Sequence, residues 1–266
     1  MRTRGVLADL HNHSCLSPCA SLEMSPSLLA RRARERGIEV LGLTDHNGAL
    51  NCPAFAEACR REGIVPVFGL EACSLEEVHV LCLFGSAAAA LAFGERLLGS
   101  LPRLPYDPEK LGDEVVVDAD EGVLDLPDYY LGAALELGFD ELCLAASGSG
   151  ALVVPAHVDR PMFSVSSQLG FLPPGPYAAV EAMRDPDPSL RGGFAVVSGS
   201  DAHVPEHVGR RAFEVELDPE ALAAGRSGGG AEFLAALGAA LRKGAVLPSW
   251  ARAGTAAGSP RAPGAA

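Results

Sequence analysis

Ile38-Glu39-Val40-Leu41-Gly42-Leu43-Thr44-Asp45-His46 is an apolar run that ends in an acid and an imidazole. A short run of this kind between turn residues reads as a strand covered on both faces. The plan recurs along the chain. Val6-Leu7 leads to Asp9-Leu10-His11-Asn12-His13, Val65-Pro66-Val67-Phe68-Gly69-Leu70 to Glu71, Leu152-Val153-Val154-Pro155-Ala156 to His157, and Phe194-Ala195-Val196-Val197 to Asp201-Ala202-His203. Strands are expected at 6–10, 38–44, 64–70, 78–84, 151–156, 178–181, 194–199 and 213–217, with helical segments between them. Ser25-Pro26 opens one helix that Gly37 closes, and residues 52–62, stopped by Gly63, form another. This is the order of βα units on a mainly parallel sheet. The polar residues then fall at the carboxyl ends of strands, where barrel active sites lie.

Side chains at i and i+2 of a strand share a face, which aims His11 with His13 and Asp201 with His203. Six of the seven histidines fall in this pattern once His79, shortly after Glu71, is included. Imidazole and carboxylate together suit zinc, manganese or iron, with magnesium a further option, and a group of this size can hold more than one ion. A single histidine after an apolar run is more often packed or solvated than a ligand; the recurrence in one chain is what favours a polynuclear metal site. Arg160, soon after His157, is a candidate phosphate clamp because a planar guanidinium grips two oxygens. Pairing with Asp159 is the ordinary alternative.

At 266 residues and 48% hydrophobic, the chain can bury a full core, and one domain is expected over residues 1–250. Residues 86–150 exceed a simple βα connection and read as a helical insertion that can cover the site. Residues 251–266, rich in Ala, Gly, Pro and Ser, read as a disordered tail. The formal charge of -13, without a Lys/Arg run, speaks against a nucleic-acid duplex as partner and for a small phosphorylated substrate whose charge cations offset locally. No stretch approaches the length of a membrane span, and the first apolar run carries His11 and His13, so it is a strand and not a cleaved signal. A cytoplasmic location is expected. Seven cysteines without paired zinc-finger spacing fit reduced thiols, those from Cys52 onward as core filler.

These motifs resemble the polymerase and histidinol phosphatase (PHP) superfamily of metal-dependent phosphoesterases. Asp9-Leu10-His11-Asn12-His13-Ser14 is similar to its first motif and Thr44-Asp45-His46-Asn47 to its second. Gly69-Leu70-Glu71 resembles the bridging acid, Pro155-Ala156-His157 the third motif and Gly199-Ser200-Asp201-Ala202-His203 the fourth. The resemblance implies a distorted (β/α)7 barrel with two or three divalent metal ions. It implies that His11, His13, Glu71 and Asp201 hold the first, that Glu71, His79 and His157 hold the second, and that His46 and His203 hold the third. Family members usually carry an Asp or His five residues after the second histidine of the first motif. Here that residue is Pro18, which leaves the third position short of a ligand unless Cys15 or Cys19 turns in. Asp9 and Asp45 are expected to orient imidazoles.

Two cations about 4 Å apart acidify a bridging water and polarise phosphoryl oxygens, so hydrolysis of a small phosphorylated metabolite, with a nucleotide as one option, is the leading expectation. Glu71, Asp201, His203 and Arg160 are the expected catalytic residues. One alternative is an amidohydrolase-like reaction at the same metals, against which stands Glu71 where such enzymes place a lysine bridge. Another is a non-catalytic metal-binding regulatory module. No Gly-x-Ser-x-Gly elbow supports a serine hydrolase.

Overall fold

The computed structural model describes residues 3–255. Eleven strands occur among them: β1 (Arg4–Asp9), β2 (Val40–His46), β3 (Val65–Cys73), β4 (His79–Phe84), β5 (Val116–Val117), β6 (Val123–Asp125), β7 (Leu152–Pro155), β8 (Val180–Glu181), β9 (Val196–Val197), β10 (Phe213–Leu217) and β11 (Val246–Leu247). Seven of them form one curled sheet in the order β11-β10-β1-β2-β3-β4-β7. The parallel pair β8-β9 fills the gap between β7 and β1. Tyr177 bridges to Val153 on one side, and Ala202 bridges to Asn12 on the other. The result is a mixed α/β fold built as a distorted (β/α) barrel.

The distortion has a readable origin. β1-β2 and β2-β3 are parallel, whereas β3-β4 and β4-β7 are antiparallel. A reversed strand presents its beginning, not its end, to the rim where its neighbours finish. His79, the first residue of β4, therefore sits beside Cys73 near the end of β3. β2 and β4 are buried along their whole length, as strands with both faces covered must be.

Helix α1 (Pro26–Glu35) begins as its sequence prescribes: the Ser25 hydroxyl accepts the Leu28 N–H, and Pro26 takes the first helical position. Helix α2 (Cys52–Glu62) stops at Gly63, whose φ of 70° is the left-handed conformation that glycine adopts without penalty. Both cover the outer face of the sheet with Leu29, Ala33, Phe55 and Cys59. The inner face alternates with it. Val65 and Val67 on β3 and Leu81 and Leu83 on β4 fill the interior, and Phe233, Leu237 and Leu241 of a late helix close its far end.

The 86–150 segment holds α3 (Ala87–Leu98), α4 (Pro108–Leu111), the β5-β6 hairpin and α5 (Phe139–Gly148). The segment expected to be a helical insertion thus also contains a hairpin. It lies along the rim: the Val115 N–H donates to the Cys15 carbonyl, and the Asn47 amide donates to the carbonyls of Leu131 and Ala133 at 2.7 Å each. Short helices α6 (Val165–Gln168) and α7 (Pro188–Arg191) link β7, β8 and β9, and α8 (Pro219–Arg226) and α9 (Gly230–Arg242) follow β10. A last helix, α10 (Ser249–Thr255), runs into the stretch expected to be a loose tail. Trp250 anchors it against the core, a contact the low-complexity composition does not announce. The remainder of that tail, residues 256–266, lies outside the described residues.

Candidate metal centre

Every predicted ligand reaches one rim. Beyond β1 the backbone crosses the last motif, with the Asp201 N–H donating to the His11 carbonyl at 2.9 Å and the His13 N–H to the Ala202 carbonyl at 3.0 Å. That crossing sets His11 and His13 against Asp201 and His203. On β3, Glu71 shares the inward face with Val65 and Val67, two residues per repeat. Asn47 (φ 46°), His157 (φ 28°) and Asp201 (φ 46°) all take the left-handed region at strand ends. Such backbone is costly for non-glycine residues and clusters at functional sites.

Glu71 is the hub. Its Oε1 lies 2.8 Å from His79 Nδ1, 3.1 Å from His157 Nε2 and 3.2 Å from His11 Nε2. Its Oε2 lies 3.3 Å from both His13 Nε2 and His46 Nδ1. Asp201 Oδ1 stands 3.2 Å from His13 Nε2 and 3.4 Å from His203 Nδ1. Among the described residues three sets have donor atoms within 4.8 Å of one another: His11-His13-Glu71-Asp201, His46-Glu71-His79 and His13-His46-His203. The sequence grouping put His157 where His46 appears in the second set; His157 reaches Glu71 but is not in that set.

The donor set fits divalent cations. His11 Nε2 and His13 Nε2 face each other at 3.3 Å, and both face the same two carboxylates. Burial pulls these imidazoles down, yet the surrounding acids Glu181, Glu71 and Asp201 raise His11 well above the ordinary histidine range, and Asp201 and Glu71 raise His13 to about 9. Cations bound there would take the place of those protons. Glu71 is held well below the usual carboxylate range: burial opposes this, and His79 and His11 outweigh it. His203, by burial and by repulsion from His13, drops to about 4. Partial desolvation of its sulfur at the rim and the Glu71 and Asp201 carboxylates push the Cys19 thiol up to about 12, although the residue as a whole is exposed.

Outer groups fix the ring orientations. Both Glu181 oxygens lie within 3.1 Å of His11 Nδ1, which turns Nε2 inward. His13 Nδ1 meets Ser17 Oγ at 3.0 Å, and Ser17 donates to Asp45 Oδ1 at 2.8 Å, so Asp45 orients His13 through a hydroxyl. Asp9 behaves differently from expectation. Its oxygens accept the backbone N–H groups of Ser200 and Gly209, so it holds the last loop and not an imidazole. Glu181 was missed in the sequence, although its signal matched that of Glu71: an acid closing the short apolar run Ala178-Ala179-Val180.

Arg160 pairs with Asp201 Oδ2 at 2.8 Å, not with Asp159, whose carboxylate accepts the N–H groups of Met183 and Arg184. Beside this pair is a hollow of about 160 Å³ lined by Arg160, Arg210, Arg211, His157 and Asp201. Cys15 is buried in the rim, and the five cysteines from Cys52 onward are buried as well. Cys19 is exposed, and its Sγ lies 3.1 Å from His203 Nε2. Among the described residues no helix is long and apolar enough to cross a membrane.

A family model for the PHP domain matches residues 9–90, and one described as PHP-associated matches residues 191–246. An error-prone DNA polymerase of Nocardia farcinica is 41% identical over 64 residues, 24% of this chain and 6% of that protein. The lesion-specific endonuclease PfuEndoQ of Pyrococcus furiosus has a similar fold, with a TM-score of 0.60 at 19% identity over 81% of this chain and 53% of its own. An Endonuclease Q complex with a 27-mer duplex bearing an abasic lesion matches equally, TM-score 0.60 at 19% identity, over 84% of this chain and 57% of the other. A two-domain Bacteroides vulgatus protein containing a predicted PHP-like metal-dependent phosphoesterase gives a TM-score of 0.51 at 14% identity, over 92% and 64% of the two chains. This chain thus spans about half the length of the endonuclease structures it matches. The expectation of a small phosphorylated partner and no duplex is overturned by the duplex held on this same fold. Net charge is a sum over the whole surface, whereas Arg160, Arg210 and Arg211 gather beside the site.

Proposed function

Since the chain belongs to the PHP superfamily of metal-dependent hydrolases, we propose that it cleaves phosphate esters in nucleic acid at the Glu71-centred cluster. The observation that carries this reading is the convergence of Glu71, Asp201 and six imidazoles on one rim, beside a hollow lined by arginines. Divalent ions at such a cluster supply Lewis-acid polarisation of phosphoryl oxygens and acidify bound water.

The chain's own residues set the stage for that chemistry. Glu71 would join two cation positions, with His11, His13 and Asp201 on one side and His79 and His157 on the other. Glu181 and the Ser17-Asp45 relay keep the inward nitrogens of His11 and His13 free of protons once cations are present. Arg160, half-exposed and already held by Asp201, can turn a guanidinium edge toward a phosphate oxygen. Arg210 and Arg211, in the same hollow, would hold neighbouring phosphates of a strand. His203, with the most exposed side chain among the imidazoles on Glu71 and Asp201, flanks the side open to solvent.

The test is cleavage of end-labelled oligonucleotides, single-stranded and duplex, with and without an abasic site, in the presence of Mn²⁺ or Zn²⁺. Cleavage is expected in the wild type and a loss of at least ~100-fold in Glu71→Ala and His157→Ala. Cleavage that persists unchanged in both variants removes the cluster from the reaction.

A further inference from the structure

Resting on the reading of this cluster as a metal centre, we infer that Phe163 is a positioning residue for the cation position of Glu71 and His79, holding the plane of the His79 imidazole by parallel stacking.

The last torsion of a histidine side chain is broad, so neighbours and not rotamer wells set the plane of the ring. His11 is gripped at its outer nitrogen by Glu181, and His13 by Ser17. His79 has no such grip: its Nδ1 faces Glu71 Oε1 at 2.8 Å, and its Nε2 makes no hydrogen bond among the described residues. What its ring has instead is a cover. The Phe163 ring lies over it with centres 4.9 Å apart and planes 17° apart, whereas His46 and His157 approach it at 65° and 58°. Turning the imidazole about its bond to Cβ would break the parallel contact and swing Nδ1 away from Glu71. The donor set His46-Glu71-His79 would then lose its geometry.

Phe163 is brought there by costly backbone. Its φ of 55° is left-handed, a conformation that a bulky residue keeps only where its surroundings enforce it. They do so from three sides. The Phe163 carbonyl accepts the His79 N–H at 3.2 Å, the Ser164 hydroxyl donates to the Arg160 carbonyl, and the Ser166 N–H donates to the Val158 carbonyl at 3.0 Å. Ring and carbonyl of one residue therefore address the same histidine, one at its imidazole and the other at its N–H. The turn that carries His157 and Arg160 also carries this ring, which ties the Glu71-His79 position to the arginine beside it.

The test compares Phe163→Leu, which keeps apolar bulk without an aromatic face, with Phe163→Tyr, which keeps the face. In the metal-free full-length chain the His79 ring protons are expected to resonate upfield through the Phe163 ring current, to lose that shift in Phe163→Leu and to keep it in Phe163→Tyr, with His79→Asn identifying the signals. Zinc titrated against a chromophoric chelator should show one bound ion weakened about tenfold or more in Phe163→Leu but within about threefold of wild type in Phe163→Tyr, the size of effect that groups orienting a ligand have. Unchanged zinc affinity in Phe163→Leu, or equal weakening in both variants, overturns the positioning role and leaves the metal centre standing. Should Phe163→Leu not fold, either the lack of an upfield shift at His79 in the wild type or a weakened ion in Phe163→Tyr overturns it. A wild type that binds no zinc removes both.

Discussion

Glu114 is the residue whose chemistry is least like its neighbours'. It is 2% exposed, its Oε1 accepts the Leu131 N–H at 2.7 Å, and its Oε2 has no hydrogen-bond partner among the described residues. Burial raises its carboxyl from 4.5 to about 8. A carboxyl raised in the folded state binds its proton more tightly there than in the unfolded chain. Its stabilising effect is therefore complete below about pH 4.5 and is lost as pH rises through about 8. Glu114→Gln cannot ionise and should escape this loss. Its stability advantage should grow by a few kcal/mol between the two limits, at about 1.4 kcal/mol per unit, as read from urea midpoints across that range. Equal pH slopes for the two proteins would show that Glu114 ionises freely. Nothing in the sequence marks this residue, because its shift comes from a fold-level accident of burial. Glu71 and Glu181 were different: each closes a short apolar run, and that pattern alone sufficed to suspect one and should have sufficed for the other.

At the scale of elements, the strand-end placements at β1, β2, β3, β7 and β9 were legible because apolar runs and the polar residue after them are local. The reversal of β4 was not, since strand direction depends on which neighbours pair. Gly42 shows the same limit. In the sequence it is one small residue in an apolar run, whereas in the fold β1 passes so close that a Cβ would stand 2.4 Å from the Leu10 carbonyl oxygen. Gly42→Ala should force the end of β1 outward, lowering stability by about 1 to 3 kcal/mol. Because His11 and His13 follow directly, cation affinity should fall with it. Calorimetry and chelator competition check the two effects, and a variant that loses stability but keeps full affinity would mean that β1 moves without carrying its histidines.

For the whole molecule, composition foretold a large core, and the ordered motifs foretold the barrel, but the surface charge misled. A formal charge of -13 describes the sum and hides the arginines beside the rim. The path of the 86–150 insertion was equally hidden, because it is set by single long-range bonds such as those of Asn47 and Asn51 to segments far along the chain. The donors themselves are spread from His11 to Asp201, and the bridge between Asn12 and Ala202 is what brings the two extremes into register. That has a consequence for how the chain assembles. A cation meets its full cage only after both ends of the topology have met, so it cannot template early collapse as it does in small zinc modules. Added Mn²⁺ or Zn²⁺ should then leave the refolding rate nearly unchanged and slow unfolding, since contacts made after the transition state act on escape from the native basin and not on entry to it. Stopped-flow chevrons with and without the ion separate the two limbs.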